Sequence, residues 1–171
     1  RKMRVGGVVT GSEIREGLIK DGFDQYVASK VIAYGSDLHK KVIVPDDPRA
    51  IADAITELKG VGCELILTTG GLSVDPDDVT RLGVKKAGAT ILAYGSPVLP
   101  GAMFLHARLG QTVILGLPAC VFYHPTTIFD LVLPRILAGE HIKKLEIAEM
   151  GHGGLCLDCD ACRFPDCPFG K

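Results

Sequence analysis

The sequence predicts an α/β protein built in three layers, in which a mainly parallel sheet carries helices on both faces and an irregular cysteine-rich tail follows. Three observations predict it. Apolar runs of strand length alternate along the chain with longer stretches of helical spacing. Hydrophobic residues make up 47% of the 171 residues, enough for the core of one domain. Four of the six cysteines come after residue 155, so we place the domain at residues 1–150 and the tail at residues 151–171.

Charge and hydropathy exclude two classes of protein. The 19 lysines and arginines stand against 20 acidic residues, a net charge of −1, so the basic surplus needed by nucleic-acid binders is missing. The longest apolar tract, residues 112–134, contains three prolines, which predict a strand, a turn and a helix rather than a membrane span. No signal peptide is visible. We expect a cytosolic protein with no nucleic-acid or membrane partner, and the first residue, Arg1, indicates a piece of a longer protein.

The first half of the chain predicts three strands and two helices. The strands are apolar runs at residues 5–9, 38–44 and 65–69. Residues 25–33 have the spacing of a helix with one buried side. Asp47 followed by Pro48 predicts the N-cap and first position of a second helix, which Gly60 and Gly62 end.

The second half continues the alternation. Asp77 or Asp78 is expected to cap a helix that reaches about residue 87, and strands are expected at residues 90–94 and 112–115. A helix over residues 122–137 follows, and residues 104–109 are expected to add an edge strand. Right-handed crossovers between such elements produce a doubly wound sheet, which binds ligands beyond the carboxyl ends of its strands.

Three polar loops should meet at that end of the sheet, at residues 10–13, 45–47 and 68–80. In the third loop, Thr68-Thr69-Gly70-Gly71-Leu72-Ser73 lies between a strand and a helix. Its backbone N–H groups, hydroxyls and helix N-terminus could cradle a phosphate, although a Gly-Gly turn is more often a plain connector. The same loops carry carboxylates that suit Mg²⁺ in the company of a phosphate. Capping explains Asp47, whereas we assign Asp46 and Asp78 to function, because neither is needed as a cap if its neighbour, Asp47 or Asp77, does that job.

Several of these pieces match a known family in order. The run Thr69-Gly70-Gly71-Leu72-Ser73-Val74 with Asp78-Val79-Thr80 resembles the TGG(T/x)SV…DVT signature of the molybdopterin-binding domain used in molybdenum-cofactor biosynthesis. The resemblance covers residues 5–139. Further matching pieces are Val9-Thr10-Gly11-Ser12-Glu13, Pro45-Asp46-Asp47-Pro48, Pro100-Gly101, Gly116-Leu117-Pro118 and Pro134.

The resemblance implies binding of molybdopterin or its adenylylated form, with Mg²⁺-assisted phosphate chemistry or metal insertion by a transferase. Asp46 and Asp78 are then the catalytic, Mg²⁺-binding carboxylates. The implied cofactor contacts are Thr10, Gly11, Glu13, Thr69, Gly70, Gly71, Ser73, Asp75, Pro100, Gly101, Leu117 and Pro118.

The chain also departs from the family pattern. Ser12 stands where the family often has Asp, and Asp75 replaces a common Gly. Two other functions therefore stay open: a non-catalytic module that holds or senses the cofactor for a molybdenum or tungsten enzyme, and a phosphotransferase for a nucleotide-like ligand. Relatives in the family are dimers or trimers, so a homo-oligomer is also expected.

The tail predicts a metal site. Cys156, Cys159, Cys162 and Cys167 are separated by two, two and four residues. Repeated C-x-x-C spacing in a reducing compartment favours tetrahedral Zn²⁺ or a [4Fe–4S] cluster, and the spacing does not choose between them. Docking on the domain and oxidation to disulfides are the alternatives.

Cys120 and His124 lie four residues apart, which makes a catalytic dyad conceivable. No companion motif supports a dyad. A packing role for Cys120 beside Val121 and Phe122 is the favoured interpretation.

Overall fold

The fold is known from a computed structural model that describes residues 1–18, 20–73 and 78–171. Within these residues six strands form one sheet in the order β2-β1-β3-β6-β5-β4. Strands β1, β2, β3 and β6 are parallel, whereas β5 is antiparallel to both of its neighbours. The strands are β1 (Arg4–Thr10), β2 (Asp37–Val44), β3 (Leu65–Thr69), β4 (Thr90–Tyr94), β5 (Leu105–Leu109) and β6 (Thr112–Leu117).

Helices cover both faces of the sheet and confirm the predicted three-layer architecture. They are α1 (Ser12–Arg15), α2 (Ser29–Ala33), α3 (Pro48–Gly60), α4 (Val79–Lys86), α5 (Ile128–Ala138) and α6 (Lys144–Glu149). A π-helical turn, Asp24–Ala28, leads directly into α2. One core contains side chains of α2, α5 and α6, such as Val31, Phe129 and Ile147. The other core contains side chains of α3 and α4, such as Ile55 and Val84.

The start of α3 follows the predicted local chemistry. The Asp47 carboxylate accepts a hydrogen bond of 2.8 Å from the Ala50 N–H, and Pro48 occupies the first turn. Because Pro48 has no N–H to leave unpaired and a fixed φ, it suits this position. The predicted cap is therefore confirmed.

Two expectations for the second half were wrong. The strand expected at the edge, β5, lies between β6 and β4, because a short turn at Gly110 and Gln111 folds it onto β6 and β4 then pairs with its other side. The helix expected from residue 122 begins at Ile128. Pro125 interrupts the helical spacing, and the Thr127 hydroxyl caps α5 by accepting a bond from the Phe129 N–H.

No helix in the described ranges is both long enough and apolar enough to cross a membrane. The longest of those helices, α3, has 13 residues, whereas a span needs about 20.

Candidate functional site

The carboxyl ends of five strands lie along one edge of the sheet. Thr10 of β1 is paired with Val44 of β2, and Thr69 of β3 is paired with Leu117 of β6. Because β5 is antiparallel to both β6 and β4, the carboxyl end of β4 at Tyr94 falls at the same edge. We call the loops that leave these five strand ends the rim. Polar groups from distant parts of the sequence therefore meet there, as expected for a ligand site in this architecture.

The first and third loops of the rim touch at Gly70. A Cβ atom on Gly70 would lie 2.4 Å from the Thr10 carbonyl oxygen and 2.5 Å from its Oγ1. Gly70 also has φ of +86°, in the left-handed region. Its carbonyl accepts a hydrogen bond of 2.8 Å from the Thr80 hydroxyl at the start of α4. Only glycine fits this position, which leaves bare backbone at the centre of the rim.

Three buried hydroxyls lie at these strand ends. Thr10, Thr68 and Thr69 are at most 3% exposed. Among the residues that the structure describes, none of their Oγ1 atoms has a hydrogen-bond partner. A buried polar group left unpaired costs roughly 1–3 kcal/mol, so such groups usually mark where water or a ligand binds. Of the three, Thr10 and Thr69 are among the cofactor contacts that the resemblance implies.

The Asp78 carboxylate is buried, with 4% exposure, and caps α4. Oδ1 accepts from the Thr80 and Arg81 N–H groups at 3.1 and 3.4 Å. Oδ2 accepts from the Ser73 N–H at 3.0 Å and from the Tyr94 hydroxyl at 2.9 Å. Four donors use the full capacity of an ionised carboxylate. Asp78 was assigned to function on the premise that its neighbour does the capping, and the structure gives the cap to Asp78 itself.

Sequence reasoning missed Tyr94 and Arg81. Burial, followed by the bond to Asp78, raises the pKa of Tyr94 to about 12. The Arg81 guanidinium carbon lies 4.7 Å from the centre of the Tyr94 ring. The buried Arg81 Nε has no hydrogen-bond partner in the described ranges. Arg81 places a positive charge beside the loop, and its position three residues after the cap was the signal that could have identified it.

The second loop reaches the first through Asp46. This side chain is exposed, and its Oδ2 accepts a hydrogen bond of 3.2 Å from the Ser12 N–H. Gly11, with φ of +144°, precedes α1, and Glu13 lies exposed in the first turn of that helix. Asp46 and Glu13 are the exposed carboxylates of these two loops, and Asp47 is half-buried.

The remaining predicted contacts have evident packing roles. A Cβ on Gly101 would lie 2.4 Å from Ile128 Cγ2, and the Pro100 carbonyl accepts from the Ile128 N–H at 3.1 Å. Leu117 is fully buried, and Pro118 precedes a 3₁₀ turn, Ala119–Phe122. Of the other two predicted contacts, Gly71 adopts φ of +57° beside Thr80, and Asp75 lies outside the described residues.

The pair Cys120 and His124 forms a main-chain turn, in which the His124 N–H donates to the Cys120 carbonyl at 3.0 Å. Burial raises the pKa of the Cys120 thiol. Because the thiolate is the nucleophile, a raised pKa makes Cys120 a poor candidate for covalent catalysis.

Metal ligation was expected at Asp46 with Asp78 and in the tail. Across residues 1–18, 20–73 and 78–171, no three His, Cys, Asp or Glu side chains are grouped to hold one metal ion. The tail cysteines are all free thiols.

Comparison with known proteins agrees with this geometry. A family described as "Probable molybdopterin binding domain" matches residues 6–138. A CinA-like protein from Citrifermentans bemidjiense is 35% identical over 97 residues, which are 57% of this chain and 23% of that protein. A CinA-like protein from Mycolicibacterium vanbaalenii is 35% identical over 110 residues, 64% of this chain and 24% of that protein. The chain thus spans about a quarter of the length of these relatives.

Two solved structures share the fold. The molybdopterin biosynthesis enzyme MoaB from Thermus thermophilus superimposes with a TM-score of 0.64 at 21% identity, over 80% of this chain and 93% of that one. The protein CinA from Thermoplasma acidophilum, described as of unknown function, superimposes with a TM-score of 0.63 at 16% identity, over 80% and 98% of the two chains.

Proposed function

Since the chain belongs to the molybdopterin-binding domain family, we propose that it binds molybdopterin, or its adenylylated form, at the rim. One observation supports the rim as the binding site. The buried hydroxyls of Thr10 and Thr69 lie at adjacent strand ends and lack hydrogen-bond partners among the described residues. A phosphate offers the acceptor oxygens that such hydroxyls need. The proposal therefore accounts for polar groups that would otherwise be buried at a cost.

The surrounding residues suit an anionic ligand. Gly70 has no side chain to block approach to the backbone, and the N-terminus of α4 brings the favourable end of a helix dipole to the same loop. Arg81 adds a full positive charge in the first turn of α4. In this proposal Asp78 links Ser73 and Tyr94 to the start of α4 through its hydrogen bonds.

Beyond binding, the proposal includes catalysis assisted by Mg²⁺. When bound, Mg²⁺ supplies positive charge to phosphoryl oxygens. Asp46 is exposed and accepts one bond, from Ser12, so this carboxylate has lone pairs to offer. Asp78 fits a metal only if one of its four donors is displaced. The proposed division is that Asp46 contacts Mg²⁺ and that Asp78 acts by holding Ser73 and Tyr94 in place.

A second candidate is binding without turnover, as in a module that holds or senses the cofactor for a molybdenum or tungsten enzyme. The Asp78 carboxylate favours this candidate, because a carboxylate that accepts four hydrogen bonds has no spare lone pair for chemistry. A homo-oligomer, such an enzyme partner and a cytosolic location stay predictions.

Binding is tested by titrating the protein with molybdopterin and measuring affinity by calorimetry. Thr10→Val removes the unpaired hydroxyl and should weaken binding at least about tenfold, equivalent to 1.4 kcal/mol. Thr112→Val is the matched control, because its buried hydroxyl bonds the Cys63 carbonyl at the opposite end of the sheet. We expect Thr112→Val to bind normally but unfold more easily. Equal affinity of both variants and the parent protein would refute a site at Thr10.

Turnover is tested separately with adenylylated molybdopterin, molybdate and Mg²⁺, by measuring AMP release in a single turnover. If the parent protein releases AMP and Asp46→Asn slows this release by about two orders of magnitude or more, the result would support a catalytic role for Asp46. Tight binding with no AMP release would establish the binding module instead.

A further inference from the structure

The cysteine tail is attached to the domain at both of its ends. At its start, the Leu99 N–H donates to the Gly154 carbonyl at 2.7 Å, and the Cys156 N–H donates to the Leu99 carbonyl at 2.8 Å. At its end, the Phe169 side chain is 3% exposed within the core that contains α5. The Gly170 N–H closes the loop by donating to the Gly153 carbonyl at 2.7 Å. Residues 156–167 are therefore held as a closed loop against the domain.

The four tail cysteines line one cavity inside this loop. Cys156, Cys159, Cys162 and Cys167 all contribute to its wall, and all are free thiols. The wall is mainly apolar and includes Phe164 and Phe169, whose rings meet edge to face with centroids 6.5 Å apart. The Cys162 Sγ lies 3.3 Å from the Thr126 hydroxyl, which also lines the cavity. Four thiols on the wall of one cavity are what a sulfur-ligated inorganic centre requires, and two of them, Cys159 and Cys162, are exposed.

The size of the cavity argues against a single ion. Its volume is about 50 Å³, several times the roughly 10–15 Å³ that one water molecule needs on the same scale. A tetrahedral Zn²⁺ site would draw its sulfurs to about 2.3 Å from one point. No such grouping of three ligands exists in the described part of the chain. The thiols surround a space instead of converging on a point.

We infer that the tail binds a [4Fe–4S] cluster through Cys156, Cys159, Cys162 and Cys167. A cubane cluster carries its four thiolates on its outer corners, so its ligands enclose a body larger than an ion. The first three cysteines share the C-x₂-C-x₂-C spacing of bacterial ferredoxins, in which the fourth cysteine of the run ligates a second cluster, whereas Cys167 lines the same cavity as the other three here. Phe164 and Phe169 give the cluster an apolar wall, and the Thr126 hydroxyl is placed to hydrogen-bond the Cys162 sulfur.

The test is anaerobic reconstitution of the 171-residue protein with equal amounts of ferrous and ferric iron and with sulfide, followed by iron and acid-labile sulfide analysis. We expect about four of each per chain, with the visible absorbance of a cluster that dithionite bleaches. Cys162→Ala and Cys156→Ala should each lose most of the iron. Cys120→Ala is the matched control, because Cys120 is a free thiol outside the cavity wall.

The far-ultraviolet circular dichroism of each variant separates loss of the cluster from failure to fold. One Zn²⁺ per chain that resists replacement by iron would overturn the inference, as would the absence of any bound metal after reconstitution. Equal loss of iron in Cys120→Ala and Cys162→Ala would also overturn it, since the iron would then be bound nonspecifically.

Discussion

The Tyr94 hydroxyl donates a hydrogen bond of 2.9 Å to Oδ2 of Asp78. Tyr94 is the last residue of β4, and Asp78 is the cap of α4, so the bond joins a strand end to a helix start. The same carboxylate oxygen accepts from the Ser73 N–H. One side chain thus joins Ser73, which follows β3, to the end of β4 and the start of α4.

Tyr94→Phe should lower the free energy of unfolding by roughly 1.5–3 kcal/mol, because it deletes a hydrogen bond to a charged acceptor and keeps the ring. Urea denaturation measures the change. A double-mutant cycle with Asp78→Asn should show a coupling above about 0.5 kcal/mol. Additive effects of the two substitutions would mean that the bond contributes nothing to stability.

Raising the pH above 10 should destabilise the folded protein through Tyr94. Its pKa is raised from 10.0 to about 12, so the folded state keeps the phenolic proton where the unfolded state releases it. The stability from this group is therefore complete below pH 10 and is lost as the pH rises through 12. Tyrosinate absorbance should show one of the four phenols titrating near pH 12, and Tyr94→Phe should remove that step.

His106 should make the fold acid-sensitive. It is 2% exposed, and burial, with a smaller effect of Arg108, lowers its pKa from 6.5 to about 4. Between pH 4 and pH 6.5 the unfolded state binds a proton at His106 and the folded state does not. The contribution of neutral His106 to stability is therefore fully present above pH 6.5 and is lost as the pH falls to 4. The full loss is about 3 kcal/mol.

The check on His106 is urea denaturation at pH 7 and pH 4.5. His106→Leu should flatten the difference between the two pH values, while His39→Gln, at an exposed position on β2, should leave it unchanged. An unchanged pH dependence in His106→Leu would assign the acid sensitivity to other groups.

Gly70→Ala should destabilise the protein by roughly 3 kcal/mol or more, since a Cβ would meet the Thr10 backbone at 2.4 Å in addition to the strain of a positive φ. Gly139→Ala isolates the strain, because Gly139 has φ of +91° and a Cβ there would meet no atom within 4 Å. We expect about 1 kcal/mol for that control. Thermal denaturation of both variants measures the difference, and equal losses would show that Thr10 does not crowd Gly70.

Local chemistry made part of the fold predictable. The bounds of β3 at Leu65–Thr69 and the Asp47 cap follow from hydrophobic run length and from the chemistry of residues adjacent in sequence. The place of β5 within the sheet depends on which strand pairs with its outer side, and no local pattern encodes that choice. The π-helical turn before α2 and the short helices α1 and α6 are also too short to show periodicity.

The candidate site, like the fold, was predictable from the sequence only in part. The threonine, glycine and aspartate positions of the rim belong to contiguous motifs, so the sequence identifies Thr10, Gly70 and Asp78 as candidates. Tyr94 reaches Asp78 from a strand 16 residues later in the chain. Its role depends on β4 folding back beside α4, which is a tertiary relationship. The saturation of the Asp78 carboxylate likewise becomes visible only when all four donors are in place.

The attachment of the tail at Leu99 uses main-chain atoms alone, and this has an evolutionary consequence. The hydrogen bonds between the Leu99 backbone and the backbones of Gly154 and Cys156 do not depend on which side chains these residues carry. Positions 153 and 154 must nevertheless remain glycine. A Cβ on Gly153 would lie 2.4 Å from the Lys171 carbonyl oxygen, and one on Gly154 would lie 2.4 Å from the Pro97 carbonyl oxygen. At its start the tail therefore constrains residue size alone, whereas at its end the buried Phe169 side chain must also fit the core that contains α5.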